Sequence, residues 1–122
     1  MALPINTPSN EMVVKFPTMT DVSDATANVF AACPVRGRLV RAYSCLGGAI
    51  SAADCTWSMK VNSVAVTGTA TIANSGSAEG DVDEVVLSGT AVNVNQADKL
   101  EVVTAGESST TATCDFWVVI RT

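Results

Sequence analysis

The chain contains no histidine. That removes the side chain whose ordinary pKa lies nearest neutrality, and with it the Ser-His-Asp and Cys-His arrangements and the commonest metal ligand. Charge is also scarce. Only 16% of the 122 residues are Asp, Glu, Lys or Arg, against about 25% in an average domain. Twelve acidic and seven basic residues leave a net charge of −5. Apart from Arg36, Arg38 and Arg41, the cations (Lys15, Lys60, Lys99, Arg121) are scattered, so no basic face for nucleic acid is expected. No apolar run is long enough to span a membrane. Aromatic residues number two Trp, one Tyr and three Phe, so Val, Ala and Thr must fill most of the interior, which suits thin strands packed as sheets.

The cysteines Cys33, Cys45, Cys55 and Cys114 show no Cys-x-x-Cys spacing, which argues against a zinc knuckle. Two states stay open for them: free buried thiols, in keeping with a cytoplasmic origin, or a bridge formed after release to an oxidising environment. Cys45 and Cys55 end and begin neighbouring strands and are the candidates for such a bridge. Gly76 and Gly80 flank Ser77-Ala78-Glu79 without the lysine or helix start of a phosphate-binding loop. Glu79, Asp81, Asp83 and Glu84 offer clustered oxygen ligands for calcium, but not in an EF-hand pattern, and read as a solvated acidic loop. A glycosidase needs two carboxylates across a groove, and nothing in the sequence nominates Asp54 and Asp115. No catalytic, cofactor-binding or metal-binding residue is assigned, and the chain is not expected to be an enzyme.

What the sequence does carry is alternation. Cys55, Trp57, Met59 and Val61 alternate with Thr56, Ser58 and Lys60, and beyond Asn62-Ser63 the residues Val64, Val66, Gly68, Ala70 and Ile72 alternate with Ala65, Thr67, Thr69 and Thr71. Two period-two runs joined by two turn-forming residues predict an antiparallel hairpin. Further strands are expected at Glu11–Phe16, Val35–Leu46, Glu84–Leu87, Thr90–Val94, Lys99–Thr104 and Thr110–Arg121, and residues 25–32 are read as a strand in preference to one helical turn. In the Val35–Leu46 run the apolar parity changes near Leu39-Val40, the signature of a β-bulge. The expected fold is therefore all-β: a single antiparallel β-sandwich, jelly-roll-like, of about eight strands. Residues 1–17 are read as an N-terminal arm with a first short strand, and 18–122 as the sandwich domain.

Three groups are candidate contacts. Pro4 and Pro8 keep residues 1–10 out of a helix or a central strand, which leaves a frayed tail or an extended arm; in the second reading Leu3, Pro4 and Ile5 lie on a neighbouring subunit. Arg36, Arg38 and Arg41 either pair with an acidic partner surface or form a solvated strand edge. The last strand has one apolar face (Ala112, Cys114, Phe116, Val118, Ile120), yet Trp117 and Val119 make the other face apolar too. A strand apolar on both faces is covered on both, here by another copy or by the chain's own loops.

The run Pro34-Val35-Arg36-Gly37-Arg38-Leu39-Val40-Arg41-Ala42-Tyr43, the hairpin from Trp57 to Ile72, and the stretches Ser75–Val82 and Ala97–Val102 resemble the head decoration, or cement, proteins of tailed bacteriophages. The resemblance spans roughly residues 34–121 and carries no catalytic signature. It implies a β-sandwich that forms a homotrimer, bridges major capsid protein subunits, and lies on the capsid exterior of a virion after synthesis in the host cytoplasm. It implies no nucleic acid and no membrane as partner. Two other readings stand beside it: a head-fibre or tail-associated component, and a carbohydrate-binding β-sandwich with Trp117 or Tyr43 as its stacking platform.

Overall fold

The computed structural model describes residues 10–24, 27–105 and 110–122. It is all-β: nine strands in two antiparallel sheets, with one 3₁₀ turn, face each other across a shared core. The strands are β1 (Glu11–Lys15), β2 (Asn28–Ala32), β3 (Gly37–Leu46), β4 (Cys55–Val61), β5 (Val64–Ile72), β6 (Val82–Val86), β7 (Asn93–Val94), β8 (Lys99–Thr104) and β9 (Cys114–Arg121). One sheet runs β1-β9-β3-β6, with β7 also paired to β3; the other runs β2-β8-β4-β5. No helix among the described residues is long and apolar enough to cross a membrane.

The hairpin forms as its alternation requires. Cys55, Trp57, Met59 and Val61 are buried while Thr56, Ser58 and Lys60 are half-exposed. Asn62 and Ser63 have φ of 50° and 71°, the doubly left-handed geometry that matches a two-residue turn to the twist of its strands. Val66, Ala70 and Ile72 face the core, but Val64 is 59% exposed because the turn end of β5 overruns it. Across the hairpin Ser58 pairs with Thr69 and Lys60 with Ala65, two residues along β4 against four along β5. A two-residue bulge preserves parity, so the core face survives it.

The bulge expected in β3 is there as well. The β3–β9 register shifts between Leu39 and Arg41. Leu39 is buried before the step, and Ala42, Ser44 and Leu46 after it. The carbonyl of the extra residue, Val40, accepts a hydrogen bond from the Leu87 amide at 3.0 Å.

Two departures from the sequence reading have simple causes. Thr90–Val94 is not a strand: Gly89, at φ 92°, turns the chain into the 3₁₀ turn Thr90–Val92, leaving only the two-residue β7. Thr18–Asp24, which none of the expected strands covers, lays Met19 and Val22 into the core. Their amides donate to the Cys114 and Ala112 carbonyls at 2.9 and 2.8 Å, so the segment extends β1's pairing irregularly and shows no alternation. The strand expected at Glu11–Phe16 is present as Glu11–Lys15, the edge strand of the first sheet, in register with β9.

No disulfide joins Cys33, Cys45, Cys55 or Cys114. Cys55 points into the core from the second sheet, whereas Cys45 lies on the outward face of the first, opposite Asp115, so the candidate bridge is not formed. Burial, the main cause, pushes the Cys114 thiol up to about 12. Among the described residues, Glu79, Asp81, Asp83 and Glu84 do not gather into a metal-sized cluster.

Candidate functional site

The outward face of the first sheet collects the chemistry. β9 turns Asp115, Trp117, Val119 and Arg121 outward because Cys114, Phe116, Val118 and Ile120 face the core. Register places Lys15 and Tyr43 on either side of Trp117, Val13 and Arg41 beside Val119, and Glu11 and Arg38 beside Arg121. On the far side of β3, Glu84 lies opposite Tyr43 and Val86 opposite Arg41. The β3 bulge is what makes this possible. Without the extra residue Arg41 would share the inward parity of Leu39; with it, Arg41 joins Tyr43 on the outer face.

Tyr43 and Trp117 stack, with ring centroids 5.7 Å apart and planes at 24°. Both are half-buried. Arg41 holds the pair in place: its Nε donates to the Tyr43 hydroxyl at 2.9 Å. The same guanidinium lies 3.4 Å from Glu11 and 3.8 Å from Glu84. Its acidity is weakened further, chiefly by the hydrogen bond to Tyr43, so it stays charged. Glu11 also accepts from Arg121 at 2.8 Å. At the other margin Asp115 accepts from Thr18 at 2.6 Å and lies 3.4 Å from Lys15.

Beside the aromatic pair lies a groove of about 420 Å³ with Arg38, Arg41 and Arg121 on its walls and Val40, Val86 and Leu87 completing it. Arg38 makes no ion pair among the described residues. A smaller hollow of about 320 Å³ lies at the β2 edge, where Lys99 Nζ sits 5.7 Å from the Phe30 ring centre.

Of the residues nominated from sequence, the structure brings Arg38, Arg41, Trp117 and Val119 onto one surface. Arg36 lies on the bend before β3 and does not line the groove. Val119, read as a contact residue, is only 5% exposed: the chain's own side chains close over it, so it supports the surface from below. Leu3, Pro4 and Ile5 lie outside the described residues. Sequence reasoning missed Glu11, Val13, Glu84 and above all Arg121. Their alternation was visible, but the β1-β9-β3-β6 order that juxtaposes them was not.

The carboxylates here make acid sensitivity predictable. The hydrogen bond from Arg121, first, and the field of Arg41 hold the Glu11 carboxyl below its ordinary value. A depressed folded pKa contributes stability above the unfolded value, about 4.3, which is lost as pH falls through the folded value. The wild-type melting temperature should therefore exceed that of Glu11→Gln at neutral pH, and the gap should close on acidification. A gap independent of pH would show that the ion pair is not its source.

No family model matches the chain, and no curated protein matches its sequence. Solved structures do share its fold. The module CsCBM6-3 from Clostridium stercorarium, in complex with cellobiose, superposes with a TM-score of 0.56 at 12% identity, covering 95% of this chain and 86% of that one. The CBM36-1 domain of a multidomain xylanase from the hindgut metagenome of Trinervitermes trinervoides gives 0.55 at 14% identity, covering 90% and 96%. The catalytic unit of a GH87 α-1,3-glucanase from Streptomyces thermodiastaticus gives 0.58 at 12% identity over 93% of this chain. This chain spans about a quarter (26%) of that enzyme unit. What is shared is the fold, a β-sandwich.

Proposed function

We propose that the chain is a non-catalytic binding module that takes glycans on the Tyr43–Trp117 face. The observation that carries this is the stacked aromatic pair, half-buried in the middle of an outward sheet face and locked by the Arg41–Tyr43 hydrogen bond. Sugar rings offer C–H faces that stack on aromatic rings, and hydroxyls that need fixed polar partners. Lys15, Arg41, Glu84 and Asp115 surround the pair. A preorganised platform avoids the cost of ordering side chains on binding. The cellobiose-bound Clostridium module has the same fold, which supports this reading through architecture alone.

Calorimetric titration with soluble β-glucan, xylan and uronate oligosaccharides tests it. Trp117→Ala should weaken the binding seen by about tenfold, the equivalent of ~1.4 kcal/mol, with the fold kept by circular dichroism. Unchanged affinity in a folded Trp117→Ala chain would overturn the platform.

A second reading is a shell-decorating trimer on a phage capsid exterior. Val13, Val82 and Val86, at 60%, 57% and 72% exposure, extend the apolar part of the same face, and such patches commonly mark protein contacts. Light scattering decides its first step. A trimer at micromolar concentration supports it; a monomer removes it.

A further inference from the structure

We propose that the Arg38–Arg41–Arg121 groove reads a carboxylate, making the Tyr43–Trp117 face selective for uronate-bearing glycans over neutral ones. The inference rests on the glycan reading and adds the ligand's charge to it.

The groove collects three of the chain's seven basic residues. Two are balanced internally: Arg41 by Glu11 and Glu84, and Arg121 by Glu11. Arg38 sits directly across the β3–β9 ladder from Arg121, exposed and without an ion pair among the described residues. Like charges directly opposite on a ladder are destabilising. Beside a groove with apolar Val40, Val86 and Leu87, an anion seated between them would offset that repulsion. A guanidinium fork matches a carboxylate in two parallel hydrogen bonds.

The groove is continuous with the platform through Arg41, which lines the first and hydrogen-bonds the second. Trp117 and Arg121 are both on the outer face of β9, four residues apart, or about 13 Å. An oligosaccharide stacked on Trp117 therefore reaches Arg38 and Arg121 with a unit two or three sugars further along. The net charge of −5 repels polyanions generally, so selective binding requires this local site.

The test compares oligogalacturonate with its methyl ester, which keeps the sugar and removes the charge, using the full chain. The free acid should bind at least about tenfold tighter at low salt, with the advantage shrinking at about 0.5 M salt as screening rises. Arg38→Gln, which breaks no ion pair among the described residues, should abolish the preference by bringing the affinity for the acid down to that for the ester. Equal binding of acid and ester would overturn the inference and leave the glycan reading intact. A preference that survives Arg38→Gln would overturn the groove as its reader. Dextran sulfate competing as strongly as the uronate would reduce the effect to general polyanion attraction and also overturn it. Binding of neither form, nor of neutral glycans, would remove the glycan reading and this inference together.

Discussion

Trp57→Ala is expected to lower the unfolding free energy by about 3–5 kcal/mol, a large share of the roughly 5–15 kcal/mol that holds a domain folded. Trp57 is 1% exposed and meets Phe116 edge-on, with centroids 5.0 Å apart and planes at 72°. It comes from the second sheet and Phe116 from the first, so the contact spans the interior of the sandwich. Alanine would leave a cavity that two hydrogen-bonded sheets cannot collapse to fill. The indole Nε1 has no hydrogen-bond partner among the described residues, so the loss is one of packing. Trp57→Phe should therefore cost far less, about 1.5 kcal/mol, because it keeps a ring and removes the unpaired donor. Urea denaturation of both variants checks this. Similar costs for the two would mean that the indole nitrogen carries the stability, through a partner such as a buried water.

Gly68→Ala should destabilise by about 2–5 kcal/mol, combining backbone strain with overpacking. Gly68 lies in the β5 bulge at φ 136°, a conformation open almost only to glycine. A Cβ there would lie 2.8 Å from the Val86 carbonyl oxygen and 3.0 Å from Val85 Cγ2. The first is backbone and cannot swing aside. Thr67, its neighbour, exchanges backbone hydrogen bonds with Ser88 at 3.1 and 3.0 Å, so the bulge is where the two sheets are joined along one side. Gly76→Ala is the control: φ is also positive, 74°, but no atom lies within 4 Å of its Cβ position. It should cost only the strain, about 1 kcal/mol. Equal losses at the two positions would show that the close approach of β5 to β6 contributes nothing.

Much of the local structure was legible before any coordinates. The hairpin, its two-residue turn, the core face of β9 and the β3 bulge all follow from parity, because side chains alternate at a period of two and a one-residue slip inverts every side chain after it. Regions without alternation were harder to read. Met19 and Val22 sit in an irregular run held by backbone bonds to Ala112 and Cys114, about ninety residues away in sequence, and nothing local marks them as core. Thr90–Val94 looked like a strand on composition, but Gly89 and the short β7 pairing decided otherwise.

The candidate site divides along the same line. The sequence by itself determined that Trp117 and Val119 make β9 apolar outward, that Arg38 and Arg41 lie close together, and that no histidine is present for acid–base work. Only the tertiary structure decided that β1 and β3 flank β9, and hence that Trp117 meets Tyr43, that Arg121 stands against Arg38, and that Val119 is covered while Val13 and Val86 are not. The physical reason is that alternation specifies which way each side chain points, whereas strand order depends on long-range pairing between segments up to 110 residues apart, as with Glu11 and Arg121, and leaves no mark on either segment alone.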